Sequence, residues 1–179
     1  MTEKWKLAQA TLAGVFPAES WKKPKAFTFD SNEKVSIAKC SPVFHRLGAD
    51  PTFGNKHIVA SGSEAVYAEI AVLNLLRKDG FDGVWTDGFR NKFWKSQTEE
   101  CSLSDLPRHA RDCYERIAEA NDGNLDGRWD LLAWKNETLI FVECKRKDSM
   151  TPSEVRWLRA ALNAGFGPEL FVICKWRPQ

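Results

Sequence analysis

The segment of residues 127–145, GRWDLLAWKNETLIFVECK, decides the fold of this chain. Two runs rich in apolar and β-branched residues, 129–134 and 139–145, flank the polar segment 135–138. Strand-forming runs joined by a short polar segment are typical of an antiparallel β-hairpin. We therefore predict a hairpin here and extend the interpretation outward from it.

The register of this hairpin brings three charged residues together. A turn centred between Asn136 and Glu137 places Asp130 directly opposite Glu143. Opposed side chains of an antiparallel pair share one face of the sheet, with Cβ atoms roughly 4.5–5.5 Å apart. Lys145 lies two residues beyond Glu143 and therefore projects from the same face. The sequence thus predicts two carboxylates and one ammonium group side by side.

Two neighbouring carboxylates in an otherwise apolar hairpin repel each other and lose hydration, unless a proton or a cation relieves them. Oxygen ligands of this kind suit Mg²⁺ or Mn²⁺ better than zinc. Such an ion can bind a phosphate oxygen and lower the pKa of a bound water. A lysine at its edge can position or deprotonate that water, or offset charge that develops on phosphorus.

Three helices are predicted around the hairpin. The first covers residues 61–79, because Ser61 and Glu64 have the spacing of a capping box and Gly follows the last residue. The second covers 104–120, with apolar residues at helical spacing. The third covers 152–164, with a threonine cap, a first-turn proline and a capping-box acid at its start.

Further strands complete the predicted sheet. Residues 170–174 follow the last helix, so the second hairpin strand, the helix and this strand form a crossover unit with parallel strands. Residues 83–86 are predicted to add an edge strand. The expected fold class is α/β, with helices packed on a mixed central sheet.

The chain is predicted to divide at residue 60. Residues 1–60 are interpreted as an N-terminal elaboration packed on the core, with a hairpin of 27–29 and 35–37, and residues 61–179 as the core itself. The net charge is +4 in residues 1–60, −6 in 61–143 and +4 in 144–179. Basic ends around an acidic middle are consistent with phosphate contacts about a metal centre, although scattered surface charge gives the same balance.

Composition excludes several classes of protein. The 179 residues are 43% hydrophobic and contain no uninterrupted apolar window of the roughly 18 to 20 residues that a membrane helix needs. Five cysteines without a C-x-x-C pair argue against a disulfide framework and a zinc ribbon. We therefore expect a protein without a secretion signal or membrane partner, located in the cytoplasm, and associated with the nucleoid if bacterial.

The charged residues of the hairpin resemble a known family. Asp130 followed by Glu143-Cys144-Lys145 looks like the PD-(D/E)XK nuclease motif, and residues 150–165 resemble its virus-type replication and repair (VRR-NUC) branch. Trp129 stands where the motif has proline, and Glu154 where that branch usually has glutamine. The resemblance implies a restriction-endonuclease-like α/β/α sandwich.

Members of the superfamily usually have another acidic residue on the helix before the motif. Glu64 and Glu69 are the candidates, and a helical projection places Glu69 inside the apolar stripe, where a carboxylate is uncommon without a partner. Glu64 is explained by its capping position. We predict Glu69 as a metal ligand, and Glu64 and Glu154 as accessory candidates.

The resemblance implies a Mg²⁺- or Mn²⁺-dependent phosphodiesterase acting on DNA, by endo- or exonucleolytic cleavage. Asp130, Glu143 and Lys145 would be the catalytic residues. Glu69 and the backbone carbonyl of Cys144 would join the two acids as metal ligands. Branched or flapped DNA in repair or recombination and restriction-type duplex cleavage are the expected substrates.

Arg146, Lys147 and Arg156 are predicted to contact nucleic-acid phosphates. The alternatives are a nucleic-acid-binding module of the same fold that does not cut, and a protein-interaction domain that uses the aromatic N-terminal segment. An exposed acidic pair with Lys145 in a surface ion pair is a further alternative, but the apolar residues on the same face, such as Leu132 and Phe141, predict that this face is mostly buried. RNA as substrate and a homodimer stay open at this point.

Overall fold

The computed structural model describes residues 3–29, 33–48, 56–88 and 90–179. These residues form an α/β fold with one large mixed sheet, as predicted, and two small two-stranded sheets. The helices are α1 (Trp5–Thr11), α2 (Ala68–Lys78), α3 (Arg108–Ala120) and α4 (Pro152–Asn163). The strands are β1 (Trp21–Thr28), β2 (Lys34–Cys40), β3 (Val43–Phe44), β4 (Ile58–Ser61), β5 (Glu64–Tyr67), β6 (Asp82–Asp87), β7 (Lys92–Trp94), β8 (Glu100–Cys101), β9 (Leu131–Lys135), β10 (Thr138–Lys145), β11 (Phe171–Lys175) and β12 (Arg177–Pro178).

The large sheet has the strand order β1-β2-β11-β10-β9-β6-β7-β8. β10 pairs with β9 antiparallel and with β11 parallel, so the predicted hairpin and the predicted crossover through α4 are both confirmed. The ladder pairs Leu131 with Val142 and Leu132 with Phe141, which is the predicted register. Asn136 takes a positive φ of 53° in the connecting turn, a conformation that asparagine tolerates well.

Helices lie on both faces of this sheet. Side chains of α1 and α2 pack with Leu131 and Val142 on one face. Side chains of α3 and α4 pack with Leu132 and Phe141 on the other. Because successive strand residues point to opposite faces, both strands of the hairpin are nearly continuous apolar runs. None of the helices in the described ranges has the length and apolar character needed to span a bilayer.

The predicted helix at 61–79 is wrong in its first half. Residues 58–61 and 64–67 form the hairpin β4–β5, and α2 begins only at Ala68. Ser61 pairs with Glu64 across a tight turn in which Gly62 has φ +63°, so the residues that suggest a capping box are instead the ends of two strands. The predicted helix end is confirmed, because α2 stops at Lys78.

Two other boundaries also need correction. α3 begins at Arg108 rather than at residue 104, because Pro107 has the extended conformation of a cap and a short 3₁₀ turn (Leu103–Asp105) precedes it. Residues 82–87 form an internal strand between β9 and β7 instead of an edge strand. The third predicted helix is confirmed, with its capping box between Thr151 and Glu154.

The described part of residues 1–60 contributes strands to the large sheet. β1 and β2 form the predicted hairpin, with Phe27 opposite Val35, and β2 pairs in parallel with β11. The predicted turn residues 30–32 lie outside the described residues. The division of the chain at residue 60 stays a prediction. All five cysteines are free thiols.

Candidate active site

The end of the β9–β10 hairpin fixes Asp130 and Glu143 against each other. The backbone pairing of β9 with β10 ends at Leu131. Beyond that point, hydrogen bonds between side chains and backbone connect the two segments. The Cys144 N–H donates to Asp130 Oδ2 at 2.9 Å, and the Asp130 N–H donates to Glu143 Oε2 at 3.3 Å. Each carboxylate is therefore held by the backbone of the opposite strand, and the two acids are neighbours as the register predicts.

Lys145 joins these acids to helix α4. Its Nζ lies 2.7 Å from Glu143 Oε1 and 2.9 Å from Glu154 Oε1. The other carboxylate oxygen of Glu154 accepts a hydrogen bond from the Thr151 N–H at 2.9 Å in the capping box. Glu154 thus serves two purposes, since it caps α4 and orients the buried ammonium group of Lys145.

The first turn of α4 is seated directly on the residues that precede Asp130. Trp129 is completely buried, and its indole N–H donates to the Glu154 carbonyl oxygen at 3.3 Å. Gly127 has φ +76°, and a Cβ there would lie 2.1 Å from the carbonyl carbon of Ser153. Only glycine permits this close approach of loop and helix. The segment before the motif therefore sets the position of Glu154.

Helix α2 supplies a third acid from the other side. Glu69 is 8% exposed, which confirms the prediction that it points inward. Its Oε1 accepts a hydrogen bond from Lys56 Nζ at 2.5 Å, whereas its Oε2 is buried with no hydrogen-bond partner among the described residues. A buried carboxylate oxygen without a partner is costly, so this atom marks a place where a donor or a cation belongs.

These groups line one cavity of about 460 Å³. Its walls carry five carboxylates and three cations, namely Glu69, Asp130, Glu143, Asp148, Glu154, Lys56, Lys145 and Arg146. The acids of this cavity outnumber its lysine and arginine side chains by two. A larger cavity of about 640 Å³ beside Tyr114 contains Arg128, whose guanidinium donates to neutral oxygens, and its three acids, Glu100, Asp105 and Glu115, are exposed rather than buried.

Burial and mutual repulsion change the acidity of the site. Burial, with a further contribution from Glu69, raises the pKa of Asp130 to about 6 against the attraction of Lys56. Burial and the Asp130 charge also raise the pKa of Glu143 well above its usual value. Burial disfavours the charge on Lys145, but Glu143 and Glu154 outweigh it and raise its pKa. In the metal-free site the protonated form of Lys145 is therefore favoured, and the buried acids bind a proton more readily than exposed carboxyls do.

Lys56 and His57 were not predicted as site residues. Lys56 Nζ pairs with Glu69, and the Asp130 and Glu69 carboxylates outweigh burial and raise its pKa. His57 Nε2 lies 2.9 Å from Arg146 Nη1 and lines the same cavity. Both residues follow a segment without a recognisable pattern, and their partners are distant in sequence, so no local signal indicates them.

The other predicted residues occupy different positions around the cavity. Arg146 lines it, while Lys147 is exposed just beyond. Arg156 is exposed on α4 and Glu64 is exposed in the β4–β5 hairpin, and neither lines the cavity. The structure therefore brings Glu69, Asp130, Glu143, Lys145 and Glu154 together, and it separates Glu64 and Arg156 from them.

The residues present fit a hard divalent cation in type and charge. As the side chains stand, no group of three or more His, Cys, Asp or Glu residues in the described ranges is arranged to hold one ion. Lys56 and Lys145 each contact one of the acids instead. The unpartnered Oε2 of Glu69 and the excess of acidic over basic residues around the cavity are the two features that favour a cation. In comparisons with family models, with curated proteins and with solved structures, nothing matches the chain.

Proposed function

We propose that this protein is a metal-dependent nuclease that hydrolyses phosphodiester bonds in DNA and has a restriction-endonuclease-like sandwich fold. The observation that carries the proposal is the convergence of Asp130, Glu143 and Lys145 with the unpartnered oxygen of Glu69 in one cavity. A stable fold does not require this group of buried charges, because apolar residues of similar volume would fill the same space at a lower cost in free energy.

Asp130, Glu143 and Glu69 would hold a Mg²⁺ or Mn²⁺ ion, with the Cys144 carbonyl as a further ligand. The Cys144 N–H points at Asp130, and the N–H and C=O of one strand residue point to the same side, so its carbonyl faces these acids. Such an ion would polarise a phosphate oxygen and make a water molecule more acidic.

Lys145 would act as a cation rather than as a general base. Its raised pKa keeps it protonated at neutral pH, so it cannot accept a proton from water. Held by Glu143 and Glu154, it can donate a hydrogen bond that orients the attacking water or offsets charge on the phosphate. Glu154 would fix the direction of that donation.

A module that binds nucleic acid without cutting is the second candidate. One observation favours it: Lys56 and Lys145 already pair with Glu69 and Glu143, which reduces the need for a metal. The two candidates differ in the consequence of adding Mg²⁺ or Mn²⁺, since only the nuclease needs the ion.

The test is incubation of the protein with linear, single-stranded, flapped and four-way DNA, and with RNA of matched sequence. Each substrate is tested with Mg²⁺, with Mn²⁺ and with EDTA. The nuclease proposal predicts cleavage products with either metal and none with EDTA. Retention of DNA on the protein without cleavage under every condition would support the binding module instead.

The metal-free protein is expected to lose stability as the pH rises. The pKa of Asp130 is about 6 in the folded state, above its usual 3.8. Its contribution to stability is therefore present below pH 3.8 and is lost as the pH rises through 6. At about 1.4 kcal/mol per pKa unit, the loss in unfolding free energy is up to about 3 kcal/mol by pH 7.

This pH dependence is measured by chemical denaturation in EDTA between pH 3.5 and 7.5. The Asp130→Asn variant lacks the titrating group, so its stability should fall less over the same range. Millimolar Mn²⁺ at pH 7.5 should restore stability to the parent protein, because metal binding favours the ionised acids. Equal pH dependence in parent and variant would contradict the assignment to Asp130.

A further inference from the structure

A further, narrow cavity on the large sheet has four lysines among its eight lining residues. It has a volume of about 90 Å³ and lies where β1, β2, β11 and β10 run side by side. Its charged residues are Lys25, Lys39, Lys145, Lys175 and Asp148, and we call it the lysine groove. Each of the four neighbouring strands contributes one lysine.

Strand pairing places these lysines in a row. Lys145 lies directly opposite Lys175, and Lys39 lies opposite Ile173, two residues before Lys175 on the same face. Lys25 comes from β1, the next strand outward. Four strands at about 4.8 Å spacing span about 14 Å. The row runs obliquely across the strands, because Lys25 lies opposite Ile37, two residues before Lys39.

The row is not neutralised by its surroundings. Lys145 pairs with Glu143 and Glu154. Among the described residues, Lys25, Lys39 and Lys175 form no ion pair. Like charges on opposed strand positions are unfavourable, and Asp148 is the single acid in the groove. A bound polyanion would relieve this repulsion.

The lysine groove is continuous with the candidate active site. Lys145 and Asp148 line both cavities. A chain of phosphates that follows the groove therefore arrives at the acids that would hold the metal. Four of its eight lining residues are lysines, whereas Met150 and Ile173 are its apolar residues. The positive charge of this lining favours a densely charged anionic strand.

We propose that the lysine groove binds the phosphodiester backbone of a nucleic-acid strand and leads it into the cavity of Asp130 and Glu143. This inference deepens the proposed nuclease function and rests on it for the direction of the strand. It assigns phosphate contacts to Lys25, Lys39 and Lys175, in addition to those predicted for Arg146 and Lys147.

The test compares two double variants with the same net charge. Lys39→Gln with Lys175→Gln removes two groove lysines, and Lys34→Gln with Lys78→Gln removes two exposed lysines that do not line the groove. Binding of a fluorescent single-stranded oligonucleotide is measured by anisotropy in EDTA, from 0.05 to 0.3 M salt. EDTA separates binding from cleavage.

The groove variant should bind about 25-fold more weakly at about 0.1 M salt, because each lost phosphate contact on a single strand removes about 0.7 from the logarithmic salt slope. Its slope should fall by about 1.4, while the control variant should keep both the affinity and the slope of the parent. Parent-like binding by the groove variant, or equal weakening in both variants, would overturn the proposal. If poly-glutamate at equal charge concentration displaces the oligonucleotide, the proposal that the groove binds nucleic acid in particular would be overturned.

The outcome also separates this inference from the nuclease proposal. If the parent cleaves DNA with Mg²⁺ and the groove variant binds like the parent, the nuclease proposal is supported and the role of the lysine groove is refuted. If the groove variant binds more weakly and the parent cleaves DNA with neither metal, the role of the lysine groove is supported and the nuclease proposal is refuted.

Discussion

Asp130→Asn and Glu143→Gln are each expected to lower metal-dependent cleavage at least about 1,000-fold while the protein stays folded. A bound metal ion is worth several kcal/mol of transition-state stabilisation, and about 4 kcal/mol corresponds to that factor. Both replacements preserve shape. An asparagine at 130 still offers an oxygen to the Cys144 N–H, and a glutamine at 143 resembles the protonated acid that burial favours.

The control for these variants is Glu137→Gln. Glu137 is exposed in the turn of the same hairpin, far along the strands from the cavity, so its replacement should leave cleavage unchanged. Initial rates with Mg²⁺ and with Mn²⁺ are measured together with thermal unfolding of each variant. Lys145→Ala is expected to lose cleavage as well. Parent-like cleavage by any of the three site variants would remove its residue from the catalytic role.

Gly127→Ala should lower the free energy of unfolding by about 2–5 kcal/mol relative to the parent, and it should also lose cleavage. An alanine Cβ would lie 2.1 Å from the Ser153 carbonyl carbon and 2.5 Å from the Glu154 nitrogen. These are backbone atoms, so helix α4 itself has to move, and such overpacking costs about 1–3 kcal/mol or more. The positive φ adds about 1–2 kcal/mol of strain.

Gly123→Ala is the matched comparison, because its φ of +72° is nearly the same and no atom lies within 4 Å of the added Cβ. Gly123→Ala should be destabilised only by the backbone strain of its positive φ, and it should keep its cleavage activity. Chemical denaturation of both variants measures the difference, which we expect to be about 1–3 kcal/mol or more. Equal destabilisation would show that the contact with α4 does not matter.

Local signals made the central elements predictable. The turn at Asn136 fixes the register of β9 and β10, and the capping box with Thr151 and Glu154 fixes the start of α4. Both signals act within a few residues, so the sequence contains all that is needed. The neighbourhood of Asp130, Glu143 and Lys145 follows directly from that register.

Elements that depend on distant pairing were less predictable. The spacing of Ser61 and Glu64 is compatible with a capping box and with a tight hairpin. The structure has the hairpin, because β4 pairs with β5. The parallel contact of β2 with β11 joins segments more than 130 residues apart. The approach of Lys56 to Glu69 likewise depends on the packing of the β4–β5 hairpin and α2.

Titration of the metal-free protein with Mn²⁺ at pH 7.5 by calorimetry tests the central claim, that the cavity of Glu69, Asp130 and Glu143 holds one divalent ion. We predict saturable binding of one ion per chain, with release of protons from the acids. Binding should disappear in Asp130→Asn and Glu143→Gln and persist in Glu137→Gln. Absence of saturable binding to the parent, or undiminished binding to both site variants, would contradict the claim.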